Sequence, residues 1–199
     1  MEKKYKIIYT DPPWAYRVWS NKGEGRSAES HYDTMQELDI ASFDINQLAD
    51  KDSVLLMWAT FPCLQQAIDL GVKWGFTYKT VAFTWVKRNK HNLDPFIGMG
   101  YYTRGNAEIC LLFTKGKPLK RLDRSISQVL ISPIGKHSQK PDEFRKRIVR
   151  LFGDIPRLEM FARSREGMFS DDEYNGWDVF GNQVNNSINI SQNNLASSF

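Results

Sequence analysis

Residues 6–14 read "KIIYTDPPW" and join the end of a buried strand to an unusual turn. After Lys6, two β-branched isoleucines and an aromatic tyrosine follow, which predicts a short buried strand over residues 6–9. Asp11 and two prolines follow. Proline fixes φ and has no N–H, so Pro12 and Pro13 make the turn rigid and leave carbonyl groups free to accept hydrogen bonds. A turn does not require the large aromatic residue, Trp14, that comes next.

This turn has two interpretations. In the first, Asp11 and the Pro12 carbonyl accept both hydrogens of an exocyclic amine, and Trp14 lies against the ring that carries the amine, since bases stack well on aromatic side chains. In the second, it is a stiff turn whose tryptophan packs in the core. The position of the turn after a predicted strand is relevant, because ligands bind beyond the carboxyl ends of strands in open parallel α/β sheets.

Strands and helices alternate along the chain, which predicts an α/β fold around a mostly parallel sheet. Apolar residues at helical spacing after Pro62 predict one helix, and acidic residues in a first turn after Pro141 predict another. Gly75 and Gly153 are expected to end these two helices. The predicted strands are residues 6–9, 52–60, 78–87, Ala107–Lys115, 127–132 and 158–162.

The chain has 199 residues, which suits one domain with its own core. We expect this domain to span residues 1–183, followed by a polar tail, 184–199, rich in Asn, Ser and Gln and therefore flexible. No apolar run approaches the roughly 20 residues of a membrane-spanning helix. The first residues lack a secretory signal, so a cytoplasmic protein is expected.

The cysteine and histidine content does not predict a metal site. Cys63 and Cys110 lie in apolar surroundings outside any C-x-x-C motif, which favours buried free thiols over a disulfide or metal role. The three histidines are far apart in the sequence and lack metal-ligand spacing. We therefore expect no metal cofactor.

Other enzyme classes are disfavoured by missing motifs. The sequence has no G-x-x-x-x-G-K-[ST] motif, which argues against a P-loop nucleoside triphosphatase. It has no G-x-S-x-G motif, so hydrolase chemistry is weakly supported. Neither "GEG" at 23–25 nor "GMG" at 98–100 lies between a strand and a helix, as a dinucleotide-binding loop would.

The C-terminal part of the sequence places an acid, Glu159, inside a predicted strand. Arg163 follows that strand, and the amide side chains Asn182 and Gln183 come shortly after. An acid in such a position can accept hydrogen bonds from ribose hydroxyl groups. The alternative is an ion pair between Glu159 and a nearby arginine, with an ordinary turn at Gly181.

Taken together, these motifs resemble those of a known family. The segment Asp11–Trp14 is similar to the catalytic signature of amino-group methyltransferases that act on adenine. Its tryptophan form is similar to the family of the eukaryotic messenger-RNA adenosine methyltransferase catalytic subunit and its bacterial and phage relatives. The motifs that carry the resemblance occur in that family's order between about residues 5 and 184: "HYDTM" (31–35), "LLMWAT" (55–60), "WVK" (85–87), "HSQKPDE" (137–143), "LEMFAR" (158–163) and "GNQ" (181–183).

The resemblance implies a Rossmann-like methyltransferase with helices on both faces of the sheet and S-adenosylmethionine as methyl donor. The catalytic motif precedes the main cofactor-binding strand, as in the family's permuted motif order. Asp11 and the Pro12 carbonyl would accept hydrogen bonds from the adenine amine, Pro13 would stiffen the turn, and Trp14 would lie against the base. The cofactor-binding residues implied by the resemblance are Asp11, Lys140, Glu159, Phe161, Arg163, Asn182 and Gln183.

The expected substrate is adenine in DNA, because the compact chain resembles the phage and bacterial members. RNA is an alternative substrate, a non-catalytic nucleic-acid-binding subunit is an alternative role, and a small-molecule amino-methyltransferase is a third possibility. The net charge of +4 agrees with a polyanionic partner. Either a homodimer or a heterodimer with a related subunit would suit the family. The residues expected to bind nucleic acid lie within loops 17–36 and 88–105 or beside them: Lys22, Arg26, Lys87, Arg88, Lys90 and Arg104.

Overall fold

The computed structural model describes residues 3–14, 37–92, 94–135, 139–162, 175–181 and 184–190. The strands in this part of the chain are β1 (Tyr5–Thr10), β2 (Ala49–Ala59), β3 (Thr77–Arg88), β4 (Ala107–Lys115), β5 (Val129–Pro133), β6 (Arg157–Met160) and β7 (Asp178–Phe180). The helices are α1 (Glu37–Ala41), α2 (Ile45–Leu48), α3 (Leu64–Lys73) and α4 (Glu143–Phe152), and a 3-10 turn, Phe61–Cys63, precedes α3.

The strands form one seven-stranded sheet in the order β5-β3-β4-β2-β1-β6-β7. β1 pairs in parallel with β2 and β6, β6 pairs in parallel with β7, and β3 pairs in parallel with β5. β4 lies between β2 and β3 and is antiparallel to both. All the described strands except β4 therefore run in one direction, which confirms the predicted mostly parallel sheet.

The two faces of the sheet bury two separate apolar cores. Successive residues of a strand point to opposite faces, so Ile8 of β1 lies in one core and Ile7 in the other. Helices α1 and α3 contribute Ile40 and Leu70 to the first core, whereas α4 contributes Phe144 to the second. Helices thus cover both faces, as predicted.

The two predicted helices end where the sequence indicated. Gly75 and Gly153 have φ values of 83° and 92°, in the left-handed region that glycine adopts without a steric penalty. Each follows the last turn of its helix. The apolar face predicted for α3 also packs inward, with Ala67 buried in the first core. These local signals suffice because a helix end depends on only a few neighbouring residues.

The structure also contains elements that the sequence did not predict. These are the short helices α1 and α2 and the edge strand β7. The strand predicted at 158–162 is shorter, because β6 ends at Met160 and the next residue, Phe161, has a φ of 57°. The strand predicted at Ala107–Lys115 has the predicted bounds.

The first residues of the predicted tail contact β7 and the first core. The Ser187 N–H donates to the Val179 carbonyl at 2.9 Å, and the Ser187 hydroxyl accepts from the Val179 N–H at 3.1 Å. Ile188 and Ile190 pack against the first core. Apolar residues within the polar segment therefore hold residues 184–190 along β7, while 191–199 lie outside the described residues.

The predicted state of the cysteines is confirmed, since Cys63 and Cys110 are both free and buried. Burial raises the pKa of both thiols. Among the helices of the described residues, none has the length and apolarity needed to cross a membrane.

Candidate active site

Charged residues from three strands meet at one edge of the sheet. Asp11 follows the carboxyl end of β1, and Lys87 lies near the carboxyl end of β3. Because β4 runs in the opposite direction, its second residue, Glu108, lies at the same edge, opposite Trp85 of β3. Lys140, which precedes α4, extends its side chain toward them.

These four side chains form a chain of alternating charge, which we call the charge chain. Lys140 Nζ is 2.7 Å from Asp11 Oδ2 and 3.0 Å from Glu108 Oε2. The other oxygen of Glu108 accepts a hydrogen bond from the Lys87 ammonium group. Glu108 thereby holds two ammonium groups, and Lys140 holds two carboxylates.

The charge chain is largely removed from water, which strengthens its electrostatic interactions. The side chains of Lys140 and Glu108 are only 7% and 8% exposed, whereas Asp11 is 24% exposed. Each ammonium group also lies over a tryptophan ring: Lys140 Nζ is 5.4 Å from the Trp58 centroid, and Lys87 Nζ is 5.0 Å from the Trp85 centroid. Of the two acids in the charge chain, Asp11 is thus the more accessible to solvent.

The pKa values in the charge chain follow from this pairing. Burial by itself would raise the pKa of Glu108, but the Lys140 and Lys87 ammonium groups lower it to about 2. Burial would lower the pKa of Lys140, but Asp11 and Glu108 raise it above its ordinary value. Glu108 and Lys140 therefore both stay ionised near neutral pH.

We expect Glu108→Gln to lower the free energy of unfolding near neutral pH, since it removes the carboxylate that two ammonium groups share. The folded-state pKa of about 2 lies below the ordinary value of 4.5, so this stabilisation is present above pH 4.5 and is lost as pH falls toward 2. The stability difference between the wild type and the variant should therefore shrink across that window. Urea denaturation at a series of pH values measures it.

The matched control is Glu143→Gln, which changes a carboxylate on α4 that is 41% exposed. Its effect on stability should be small at every pH, because exposed ion pairs contribute little. A stability loss in Glu108→Gln that stays constant from neutral pH down to pH 2 would contradict the electrostatic explanation.

The turn after β1 is closed by its own backbone. The Trp14 N–H donates to the Pro12 carbonyl at 2.8 Å, and the Trp14 indole N–H donates to the Trp58 carbonyl at 3.0 Å. A carbonyl oxygen has two lone pairs, so Pro12 can still accept another hydrogen bond. Trp14 is 7% exposed and lies in the first core. In this position it supports the turn, and its contact with a base remains a prediction.

The structure pairs Glu159 of β6 with an arginine. Both of its carboxylate oxygens accept hydrogen bonds from Arg145 of α4, and both residues are buried. Arg145 also donates to Asp142 at 2.7 Å. This is the ion-pair alternative that the sequence left open. Both oxygens of Glu159 already bind Arg145. In the proposed contact with a cofactor ribose, Glu159 would therefore accept a further hydrogen bond beside this pair.

The comparison with known proteins decides which family this site belongs to. The MT-A70 family model matches residues 5–183, a range that includes every residue of the charge chain. The chain belongs to the MT-A70 family. This confirms the resemblance that the Asp-Pro-Pro-Trp segment and the later motifs indicated, and it agrees with the Rossmann-like α/β sheet described above.

The relatives are methyltransferases by name. The chain is 35% identical to the type II methyltransferase M.MunI of Mycoplasma sp, over 94% of this chain and 82% of that protein. It is 28% identical to a probable N(6)-adenosine-methyltransferase MT-A70-like protein of Oryza sativa, over 92% of this chain and 23% of that protein. It is 25% identical to the human N(6)-adenosine-methyltransferase catalytic subunit METTL3, over 91% of this chain and 28% of that protein. This chain thus spans about a quarter of the length of the N(6)-adenosine-methyltransferases it matches.

MT-A70 methyltransferases generally depend on S-adenosylmethionine, and the charge chain has suitable groups for its amino-acid end. That end carries a carboxylate and an ammonium group. Lys140 can donate to a carboxylate, and Asp11 can accept from an ammonium group. The two residues pair with each other at 2.7 Å, so opposite charges of the kind that a zwitterionic ligand requires lie side by side. The donor set therefore fits the cofactor.

Four of the residues predicted to bind the cofactor come after β6 in the sequence: Phe161, Arg163, Asn182 and Gln183. Phe161 follows that strand with a φ of 57°, which is uncommon outside glycine and often occurs at functional sites. Its ring packs edge-to-face on Phe43, with the ring centroids 5.6 Å apart. Arg163, Asn182 and Gln183 lie outside the described residues.

The residues predicted to bind nucleic acid divide into three groups. Lys90 and Arg104 are exposed, and Arg88 is half-buried. Lys87 turns into the charge chain and pairs with Glu108, and its contact with nucleic acid remains a prediction. Lys22 and Arg26 lie outside the described residues.

Sequence reasoning missed two charged residues that pair with predicted site residues, Glu108 with Lys140 and Arg145 with Glu159. Glu108 stands near the start of the otherwise apolar strand β4, and an acid in such a strand is a signal that it has a buried partner. Arg145 falls on the same helical face as Ile148 and is buried, as Phe144 and Ile148 are. The helical spacing of Arg145 and Ile148 was the available signal.

Proposed function

We propose that this chain is an S-adenosylmethionine-dependent methyltransferase that methylates the exocyclic amino group of adenine in DNA. The observation that carries the proposal is the position of Asp11. It lies at the carboxyl end of β1 within a rigid Asp-Pro-Pro-Trp turn, is partly exposed, and is held at 2.7 Å by the buried Lys140. This edge of an α/β sheet is where ligands bind.

The acceptors of the turn match the chemistry of an adenine amine. The amine is a weak nucleophile because its lone pair is delocalised into the ring. Asp11 and the Pro12 carbonyl can accept both of its hydrogens, which favours a pyramidal nitrogen whose lone pair points away from them. As positive charge grows on that nitrogen, the carboxylate and the carbonyl dipole stabilise it. S-adenosylmethionine supplies an electrophilic methyl group when bound.

The charge chain provides a way to release Asp11 for this role. Lys140 lies between Asp11 and Glu108, at 2.7 Å and 3.0 Å. When an amine approaches Asp11, the Lys140 ammonium group keeps a partner in Glu108 and is not left as an isolated buried charge. The turn itself stays in place because the Trp14 indole is anchored on the Trp58 carbonyl. Positioning of this kind is a large source of catalytic rate.

DNA is proposed as the polymer because, among the relatives described above, the chain is more similar to the type II methyltransferase. RNA is the second candidate, favoured by the similarity to the N(6)-adenosine-methyltransferases. In a duplex the target base would have to leave the stack to reach Asp11. Such an enzyme would act where the DNA lies, in the cytoplasm of a bacterial or phage-infected cell.

The test is methyl transfer from radiolabelled S-adenosylmethionine to single-stranded DNA, duplex DNA and RNA of the same sequence. Digestion of the product to nucleosides identifies the methylated position. We expect label in N(6)-methyladenine of at least one DNA substrate. Methyl transfer to RNA alone would reject DNA as the substrate and support RNA. Cofactor binding without methyl transfer to any of the three polymers would favour a small-molecule substrate.

A non-catalytic subunit remains the alternative role, and it makes a different prediction. Such a subunit should bind nucleic acid but not the labelled cofactor. The paired carboxylate and ammonium groups of Asp11 and Lys140 speak for a complete site. Equilibrium dialysis with labelled S-adenosylmethionine separates the two roles without requiring a nucleic acid substrate.

A further inference from the structure

The segment Phe96–Asn106 presents several large apolar side chains to solvent, and we call it the aromatic loop. Tyr102 is 94% exposed, Tyr101 is 72% exposed and Ile97 is 70% exposed. The two tyrosine rings meet edge-to-face, with centroids 4.9 Å apart. Exposed apolar groups this close together on one loop often mark a binding surface.

The backbone of the aromatic loop is held in a defined conformation by hydrogen bonds. The Gly98 N–H donates to the Gly105 carbonyl at 2.8 Å, and the Phe96 N–H donates to the Lys87 carbonyl at 3.0 Å. The loop backbone folds so tightly that a Cβ placed on Gly100 would lie 1.9 Å from the Thr103 carbonyl oxygen. The tyrosines are therefore held outward by a folded backbone, which reduces the entropy lost when they bind a ligand.

The position of the aromatic loop ties it to the candidate active site. The loop is part of the connection between the end of β3 at Arg88 and the start of β4 at Ala107. The strand residues next to these ends, Lys87 and Glu108, pair with each other in the charge chain. A polymer that delivers a base to Asp11 would lie against this edge of the sheet. Its neighbouring nucleotides would then pass close to the loop.

The side chains of the loop match unpaired nucleotides. Bases have flat apolar faces that stack on aromatic rings, and the phosphate backbone is attracted to cations. Arg104 is exposed within the loop, and Lys90 is exposed beside it. Residues 96–106 contain no acidic residue, whereas the exposed Asp94 lies between Lys90 and the loop in the sequence.

We propose that the aromatic loop is a stacking platform on which Tyr101 and Tyr102 hold unpaired bases next to the target nucleotide. This inference rests on the proposed function, because it assumes a nucleic acid substrate at Asp11. It adds a substrate class to that proposal: a strand whose bases near the target are unstacked. Binding there is sequence-tolerant, since every base has a face that can stack.

The test measures the affinity of the full-length protein for a fluorescein-labelled single-stranded DNA oligonucleotide by anisotropy. Replacing both tyrosines by Ala is expected to weaken binding about 5-fold to 100-fold, the range found when a stacking aromatic is removed. Tyr101→Phe with Tyr102→Phe keeps both ring faces and should bind like the wild type. Tyr101→Leu with Tyr102→Leu keeps apolar area without a ring face and should be as weak as the Ala variant.

The Leu variant separates stacking from an ordinary apolar docking surface. If it binds the oligonucleotide as tightly as the wild type, base stacking is overturned. If the Ala variant changes the sedimentation behaviour of the protein in the absence of DNA, the loop is an interface for a second copy of the chain and the proposal also fails. All three variants alter exposed side chains, so their urea denaturation curves should match that of the wild type.

A second readout reports on stacking directly. An oligonucleotide with 2-aminopurine next to the target adenine should lose fluorescence when the wild type or the Phe variant binds, and not when the Leu variant binds. The experiments distinguish an error in the stacking-platform proposal from an error in the proposed function. Equal binding and equal methyl transfer by all variants would reject only the platform, whereas tyrosine-dependent binding without methylation of adenine would reject only the proposed function.

Discussion

Replacing Asp11 is expected to reduce kcat for methyl transfer by about 100-fold to 1,000-fold, the loss found when one preorganised group that stabilises developing charge is removed. Asp11→Ala removes the carboxylate, and Asp11→Asn keeps its shape with a single neutral acceptor. Both leave the adenine amine without the negative charge that stabilises a developing cation. The measurement is the initial rate of label transfer to the DNA substrate at saturating cofactor.

The structure predicts that both Asp11 variants stay folded. Asp11 is 24% exposed, and its partner Lys140 keeps a second carboxylate, Glu108, at 3.0 Å. Asp69→Asn is the control, since Asp69 is an exposed carboxylate on α3 whose side chain pairs with Gln65. Its activity should equal that of the wild type. Full activity in Asp11→Ala, with an intact fold, would reject the mechanism.

The strands of the core could be predicted from sequence because each carries a local pattern. The strand Ala107–Lys115 was predicted with the bounds observed, since its apolar run is long and ends in charged residues. The helix α4 was predicted from an acidic first turn, an apolar face and a glycine after its end. Signals of this kind involve only neighbouring residues, and the fold preserves them.

The missed elements are short. α1, α2 and β7 have five, four and three residues. A segment shorter than about two helical turns does not show enough repeats for its period to be recognised. These elements exist because of long-range contacts, such as the pairing of β7 with β6. A local pattern cannot supply that information.

The charge chain could not be predicted because it depends on strand direction. Glu108 reaches Lys140 and Lys87 only because β4 runs antiparallel to β2 and β3, which places its first residues at the carboxyl edge of the other strands. In a fully parallel sheet Glu108 would lie at the opposite edge. The sequence of an apolar strand does not show whether it pairs parallel or antiparallel with its neighbours. It therefore does not show which charged residues lie at the same edge of the sheet.

Trp14 shows how the two interpretations of the turn can share one residue. The sequence presented a contact with a base and packing in the core as alternatives. The structure packs the indole in the first core, with its N–H on the Trp58 carbonyl. The same anchoring fixes the carbonyl and carboxylate acceptors of Pro12 and Asp11. Core packing of the tryptophan therefore serves the proposed amine clamp.

The second large effect is expected from breaking the buried pair of Arg145 and Glu159. Arg145→Met leaves the Glu159 carboxylate buried without its bidentate partner, which is expected to lower the free energy of unfolding by about 3–5 kcal/mol. Replacing both residues, Arg145→Met with Glu159→Leu, removes both charges and should recover most of that loss. Urea denaturation of Arg145→Met, of Glu159→Leu and of the double variant gives the coupling energy between the two residues.

The control lies on the same helix. Arg150 pairs with Asp123 but is 56% exposed, so Arg150→Met should change stability by less than about 1 kcal/mol. Equal losses in the two arginine variants, or a double variant that is no more stable than Arg145→Met alone, would show that the pair is not held as the structure indicates.

The double variant also separates the two roles of Glu159. If its main contribution is the ion pair, a double variant with restored stability should still bind labelled S-adenosylmethionine. If Glu159 accepts from the cofactor as well, the restored fold should bind it more weakly, because a leucine cannot accept a hydrogen bond. If the double variant recovers stability but loses cofactor binding, Glu159 contacts the cofactor in addition to pairing with Arg145.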